Sequence, residues 1–159
     1  MLKSVAPSVR KAVSKARFAI VASRYNERYV NGMLRAARAT LREAGVRAGG
    51  LKVVRVPGAF EMPAVVAKLA ASEGDLRFDA VIGLGVILQG ATSHAEHIGG
   101  AVTSAFAQIQ VQYMVPIVHE VLVFTNVQQA KERCLSREHN RGAEAAQTAL
   151  EMARVMRNL

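Results

Sequence analysis

Four short apolar runs rich in β-branched residues alternate with segments of helical spacing, and this alternation constrains the fold more than any other feature. The runs cover residues 18–22, 51–56, 80–88 and 117–124. The first and third are apolar almost without interruption, as parallel strands covered on both faces should be. The pattern predicts an α/β fold, in which helices cover both faces of an open, four-stranded parallel sheet and the crossovers are right-handed.

Helical periodicity fills the intervals between the runs. Val30, Leu34, Ala37 and Leu41 lie on one helical face, and Gly45 follows as a C-terminal cap. A second helix is predicted to begin near Glu61, with Pro63 in its first turn. A third carries apolar residues at helical spacing, namely Ile98, Val102, Phe106, Ile109 and Tyr113. A short helix over 127–133 and a last one over 142–157 follow, and the last is predicted to bury Ala145, Ala146, Ala149, Leu150 and Ala153.

A chain of 159 residues suits one domain with a substantial core. Residues 1–16 are predicted to form a basic arm and residues 17–159 the domain. The arm lacks the apolar stretch of a secretory signal, which leaves a basic amphipathic targeting peptide as the alternative. No apolar run is long enough to span a membrane. The single cysteine, Cys134, excludes an internal disulfide and favours a reducing cytoplasm.

The formal net charge of +9 raises the question of a nucleic-acid partner. The basic residues are spread over several segments, and no aromatic residues are interleaved with them as a base-stacking surface would need. Solvated basic faces, with a few arginines for an anionic small substrate, are therefore the favoured interpretation.

The segment that follows the third run combines an anion site with a proton-transfer group. A small-residue turn at 90–92 passes directly into a helix, and Ser93 and Glu96 have the spacing of a capping box. Turn amides and a helix N-terminus attract an anion such as phosphate. His94 lies beside them, and a histidine side chain suits proton transfer.

Three such turns follow the carboxyl ends of predicted strands, at 23–26, 57–61 and 89–94, where ligands bind in open parallel sheets. They would bring Tyr25, Glu61 and His94 into one pocket. Each residue also has a structural interpretation: Tyr25 as packing at a strand end, Glu61 as a first-turn charge, and His94 as a cap-region histidine. The coincidence of all three turns favours a binding pocket.

Other polar residues allow more than one interpretation. His94 and His97 are three residues apart on a helix, but no Cys or Asp cluster accompanies them, so no metal site is predicted. Arg133 and Arg141, the latter within Asn140-Arg141-Gly142, are either a helix end with turn chemistry or guanidinium groups that grip phosphate. His119 lies near the start of the fourth run and could act only in a pocket formed with a neighbouring subunit.

Four motifs together resemble the 6,7-dimethyl-8-ribityllumazine synthase family, over roughly residue 18 to the C-terminus. The motifs are Arg24-Tyr25-Asn26, Val56-Pro57-Gly58-Ala59-Phe60-Glu61, Gly90-Ala91-Thr92-x-His94, and Asn140-Arg141-Gly142-x-Glu144-Ala145-Ala146. The resemblance implies a three-layer, flavodoxin-like α/β/α sandwich that forms a homo-oligomer built from pentamers, and a functional link to riboflavin synthase.

The resemblance also implies the reaction. The family condenses 5-amino-6-(D-ribitylamino)uracil with 3,4-dihydroxy-2-butanone 4-phosphate at a site between adjacent subunits, without a metal or cofactor. By resemblance, Tyr25 stacks on the pyrimidine, Glu61 binds the ribityl chain, His94 shuttles protons and Arg133 of a neighbour pairs with phosphate. The remaining substrate-binding positions carried over are Asn26, Ala59, Phe60, Ile87, Leu88, Gln89, Gly90, Ala91, Thr92, His119 and Arg141, of which Gly90, Ala91 and Thr92 form the phosphate turn.

Three residues depart from the family pattern. His119 stands where a phenylalanine is usual, Gln89 where a basic residue is common, and Arg141 where a lysine is usual. The segment 135–139 lacks the Gly-rich form of shell-forming members, which leaves pentamer, decamer and shell as alternatives. The first two departures motivate a second hypothesis, a catalytically weak paralogue that binds riboflavin or a related flavin.

Overall fold

The computed structural model describes residue 13 and residues 15–159, so most of the predicted arm, residues 1–16, lies outside the described residues. Four parallel strands form one sheet in the order β2-β1-β3-β4. The strands are β1 (Phe18–Ser23), β2 (Leu51–Val56), β3 (Ala80–Leu88) and β4 (Ile117–Phe124). The two runs that are apolar throughout, β1 and β3, are the central strands, which confirms the prediction of a parallel sheet covered on both faces.

Five α-helices connect and cover the strands in the described part of the chain. They are α1 (Glu27–Glu43), α2 (Met62–Ala70), α3 (His94–Tyr113), α4 (Val127–Cys134) and α5 (Arg141–Arg157), with short 3₁₀ turns at Ala48–Gly50 and Gly74–Leu76. Within the described residues, no helix combines the length and apolar character needed to cross a membrane.

The helices form two layers because side chains of a strand alternate between the faces of the sheet. On β1, Phe18 and Ile20 point into a core shared with α1, α4 and α5, whereas Ala19 and Val21 point into a second core shared with α2 and α3. All four residues have no exposed surface. The three-layer α/β/α sandwich is therefore confirmed.

Local backbone chemistry sets where the first helices begin and end. Asn26 precedes α1 in the left-handed conformation (φ 54°), which Asn tolerates better than most residues. Gly45 has φ 101° and donates its N–H to Arg42 O at 2.9 Å, as a C-terminal glycine cap should. Pro63 lies in the first turn of α2, where its missing N–H leaves no carbonyl unpaired.

The predicted capping box at α3 is wrong, although the helix does begin after Ser93. Ser93 has φ −72° and ψ 3° and makes no side-chain cap, because capping requires an extended residue at this position. Its hydroxyl lies 3.2 Å from His97 Nε2 instead, and Glu96 accepts a long hydrogen bond of 3.5 Å from Gln89.

Helix α5 packs very closely on α1 through small residues. Ala145, Ala146 and Ala149 are fully buried, and Ala153 is 5% exposed. A side chain at Gly142 would overlap the backbone of Met33, so this position requires glycine. The first turn of α5 is consequently fixed against α1, which matters for Arg141 at its start.

Candidate active site

A cavity of about 400 Å³ opens at the carboxyl ends of β1, β2 and β3. This is the edge of the sheet where the three turns were expected to converge. The residues that line it are Tyr25, Asn26, Gly58, Ala59, Phe60, Glu61, Val86, Ile87, Leu88, His94 and Ile98. The cavity thus unites most of the pocket residues expected from the sequence.

Hydrogen bonds tie the three turns to one another. Arg24 N donates to Val56 O at 2.8 Å, and Tyr25 N donates to Pro57 O at 3.1 Å, which joins the turns after β1 and β2. The Asn26 side-chain amide donates to Val86 O at 2.8 Å, which anchors the first turn to β3. These bonds hold the cavity walls in register, as a preorganised ligand site requires.

Glu61 is oriented by the backbone of its own turn. Gly58 N donates to Glu61 Oε2 at 2.9 Å. A Cβ at position 58 would lie 2.9 Å from that oxygen and 3.3 Å from Tyr25 Cδ2, so only glycine fits without displacing one of them. This contact leaves Glu61 Oε1 available for a hydroxyl group of a ligand.

The mouth of the cavity exposes two aromatic rings. Tyr25 is 73% and Phe60 is 64% exposed. Large aromatic side chains with this much exposed surface at a concave site are typical of surfaces that a ligand or a second protein chain covers.

His94 is the first residue of α3, and it reaches the cavity from an exposed position. Ahead of it, the loop of Gly90, Ala91 and Thr92 is exposed, and the described residues offer its backbone N–H groups no hydrogen-bond acceptor. Free amides next to a helix N-terminus form an anion site. Within the described part of the chain, no group of three His, Cys, Asp or Glu residues could hold a metal ion.

His119 lies outside this cavity, on the face of β4 that α3 covers. Its ring packs edge-on against Phe106, with centroids 5.5 Å apart. Thr103 donates its hydroxyl hydrogen to Gly99 O at 2.7 Å, so the Thr103 oxygen accepts a hydrogen bond from His119 Nε2–H at 2.8 Å. Burial lowers the pKa of His119, with a smaller opposing contribution from a backbone hydrogen bond, and this favours the neutral ring.

The two predicted substrate arginines also lie outside the cavity, in different surroundings. Arg133 is exposed on α4 and has no acidic partner among the described residues. Arg141 pairs with Glu120 through two hydrogen bonds, from Nε at 3.0 Å and from Nη2 at 2.9 Å, and with Glu144 at 2.6 Å. One chain therefore presents some of its predicted site residues in the cavity and others at separate positions outside it.

Sequence similarity to known proteins identifies the family. The sequence model of the 6,7-dimethyl-8-ribityllumazine synthase family matches residues 15–157. A 6,7-dimethyl-8-ribityllumazine synthase of Halorhodospira halophila (strain DSM 244 / SL1) is 41% identical over 148 residues, which is 93% of each chain. This chain belongs to the lumazine synthase family. The protein is accordingly an enzyme, a transferase of riboflavin biosynthesis.

A larger groove of this lumazine synthase chain, about 870 Å³, lies between α1 and the segment 134–140. Arg28, Arg35 and Arg137 line it, and none of the predicted site residues does. Cys134 also lines this groove, but burial raises the pKa of its thiol to about 12, with a contribution from Glu120. The buried thiol is therefore held in its protonated form near neutral pH.

Three cavity residues were not among the predicted site residues. Val86 contributes the carbonyl that binds Asn26, Gly58 contributes the N–H that orients Glu61, and Ile98 adds apolar surface. The first two act through their backbones, which side-chain motifs do not reveal. The sequence placed Ile98 only in the helical pattern of α3, and its half-buried side chain also lines the cavity.

Proposed function

We propose that the protein condenses 5-amino-6-(D-ribitylamino)uracil with 3,4-dihydroxy-2-butanone 4-phosphate to give 6,7-dimethyl-8-ribityllumazine, phosphate and water. The observation that carries the proposal is the cavity that joins Tyr25, Glu61 and His94 at three adjacent strand ends. An aromatic face, a carboxylate and an imidazole are the groups needed for a pyrimidine, a polyol chain and proton transfer.

The pyrimidine would stack on the exposed ring of Tyr25, beside the amide of Asn26 and the backbone of Ala59. Glu61 Oε1, which the Gly58 contact leaves available, would accept hydrogen bonds from the ribityl hydroxyls. Phe60, Ile87 and Leu88 would complete the apolar surround; these three residues line the same cavity.

The phosphate would bind the free amides of the loop 90–92, at the N-terminus of α3. Gln89 directly precedes this loop and donates its own N–H to Phe124 O at 2.8 Å, which fixes the start of the loop to β4. Arg133 of a neighbouring subunit would supply the opposing positive charge, since Arg133 has no acidic partner among the described residues.

His94 would move the protons of the reaction. The 5-amino group adds to the ketone and loses water as the imine forms, phosphate then leaves as the adjacent carbon loses a proton, and ring closure releases a second water. An imidazole can both donate and accept these protons. Holding the two substrates together supplies roughly 7–11 kcal/mol at best, and the proposed mechanism uses no metal or cofactor.

We infer further that the active unit is a homo-oligomer built from pentamers, with each site between two subunits. His119, Arg133 and Arg141 lie away from the cavity of their own chain, and the aromatic mouth of that cavity is exposed. A neighbour that brings these residues to the mouth would cover both rings. The single cysteine supports a cytoplasmic location, where the product would pass to riboflavin synthase.

The test is to mix the purified protein with both substrates and follow the lumazine by absorbance and fluorescence. We expect product well above the spontaneous background. No product from folded, assembled protein would reject the synthase activity and favour the flavin-binding paralogue that His119 and Gln89 suggest. Binding of riboflavin, measured by quenching of its fluorescence, would then separate that paralogue from a protein without flavin affinity.

A further inference from the structure

Glu120 is a buried carboxylate that the proposed mechanism does not use. It lies on β4 with 6% of its surface exposed, and it faces the side of the sheet opposite to His119. Its two oxygens accept from Nε and Nη2 of Arg141 at 3.0 Å and 2.9 Å. Burial raises the pKa of Glu120, and the charge of Arg141 partly offsets this rise.

The backbone on either side of Arg141 is fixed as firmly as its side chain. The Asn140 side chain donates to Cys134 O at 2.8 Å and accepts from Gly142 N at 2.9 Å. Gly142 lies directly against the backbone of Met33. The backbone of Arg141 is therefore fixed, and its guanidinium has the buried partner Glu120. Together these contacts favour a single orientation of the Arg141 side chain.

The charges of this cluster limit what Arg141 can bind. One guanidinium faces two carboxylates, Glu120 and Glu144, so the three ionised side chains carry a net negative charge. Such a cluster repels a phosphate dianion. Three of the five guanidinium N–H groups are used, and two remain for a neutral acceptor such as a carbonyl oxygen.

We infer that Glu120 is a positioning residue for Arg141, which it orients and neutralises so that Arg141 donates hydrogen bonds to the uracil carbonyls. Arg133, which has no acidic partner among the described residues, is left to bind the phosphate. This inference rests on the proposed function, because it assigns the two arginines to the two substrates of that reaction.

The same geometry explains why arginine stands at position 141. Only a planar guanidinium can bind Glu120 side-on and Glu144 through its third nitrogen at once, whereas an ammonium group cannot present this fork.

The experiment is a double-mutant cycle read by steady-state kinetics, in which each substrate is varied in turn. The variants are Glu120→Gln, Arg141→Lys and the double variant. Each single change should raise KM for the uracil about tenfold, the effect of one good hydrogen bond, and leave KM for the phosphate substrate within about twofold. Because both changes remove the same interaction, the double variant should be about as impaired as either single variant.

The matched control is Glu151→Gln, which breaks an exposed Glu–Arg pair on the same helix and should leave both KM values unchanged. If Glu120→Gln does not fold, as judged by circular dichroism, Glu120→Asp replaces it in the cycle. Aspartate keeps the charge but is one methylene too short for the fork, so it should give the same uracil-specific KM effect.

The outcomes separate the inference from the proposed function. An active wild-type protein whose cycle is additive, or whose KM rises for the phosphate substrate, would overturn the inference and leave the proposed function standing. A folded wild-type protein that makes no lumazine would overturn both.

Discussion

At the residue scale, the cavity divides its chemistry among side chains whose surroundings differ. Glu61 is oriented by Gly58 N, and His94 stands exposed at the start of α3. Tyr25 presents a largely exposed ring. A carboxylate held by its own turn suits binding, whereas an accessible imidazole suits proton transfer.

Replacing His94 with Ala should lower kcat by about 10²–10⁴-fold, the usual contribution of a general acid or base. The side chain is exposed, so folding and assembly should be unaffected. Lumazine formation and size-exclusion chromatography measure the two effects. His97→Ala is the matched control, because His97 lies on the same helical turn and its ring hydrogen-bonds to Ser93. Unchanged turnover in His94→Ala would remove His94 from the mechanism.

His119 gives a prediction about pH and stability. Its pKa is lowered in the folded protein, so between that pKa and the ordinary value of 6.5 the unfolded chain binds more protons. Stability due to His119 is therefore complete above about 6.5 and is lost as the pH falls through the folded pKa. His119→Phe, which keeps a ring against Phe106, should reduce the loss of Tm between pH 7.5 and pH 5.5. An identical loss in both proteins would contradict this role.

At the scale of elements, the sequence predicted the architecture well and the contacts at helix ends less well. The bounds of β2, β3 and β4 agree with the predicted runs, because buried strands must be apolar and β-branched along their length. The capping box failed because Ser93 adopts a dihedral pair that short motifs do not specify. The Asn26–Val86 bond joins residues 60 positions apart, so no local pattern could reveal it.

The start of α1 provides a matched pair of variants. Asn26→Gly should cost about 1 kcal/mol, because it removes the hydrogen bond to Val86 O but tolerates the left-handed backbone. Asn26→Ala should cost about 1 kcal/mol more, because alanine is strained at φ 54°. Urea unfolding of both variants measures the difference. Equal stability of the two would show that backbone strain at this position is not significant.

At the scale of the whole molecule, the proposed site residues of one chain do not all lie together. Tyr25, Glu61 and His94 line a cavity, whereas Arg133 and Arg141 lie outside it. The sequence motifs predicted these residues, but they do not specify how two chains would bring them together, because a subunit contact depends on surface shape. The proposed site between subunits would account for the separation.

Replacing Arg133 with Ala should mainly weaken use of the phosphate substrate. The change removes a guanidinium that has no acidic partner among the described residues and is therefore available to an anion. We expect KM for that substrate to rise about tenfold to a hundredfold, as the loss of a charge-assisted hydrogen bond implies. Both KM values are measured by steady-state kinetics with each substrate varied in turn. A change confined to KM for the uracil would assign Arg133 to the other substrate.

The most direct test of the shared site is subunit complementation. The His94→Ala and Arg133→Ala chains are co-expressed in equal amounts with different affinity tags, and mixed assemblies are purified through both tags. A site formed by the cavity of an Arg133→Ala chain and the arginine of a His94→Ala neighbour is intact. In randomly mixed assemblies, half of the cavities belong to Arg133→Ala chains, and half of these have a His94→Ala neighbour that supplies Arg133. About a quarter of the sites should therefore be intact, which restores about a quarter of the wild-type rate at low phosphate-substrate concentration. Activity no higher than the average of the two variants would contradict a site between subunits.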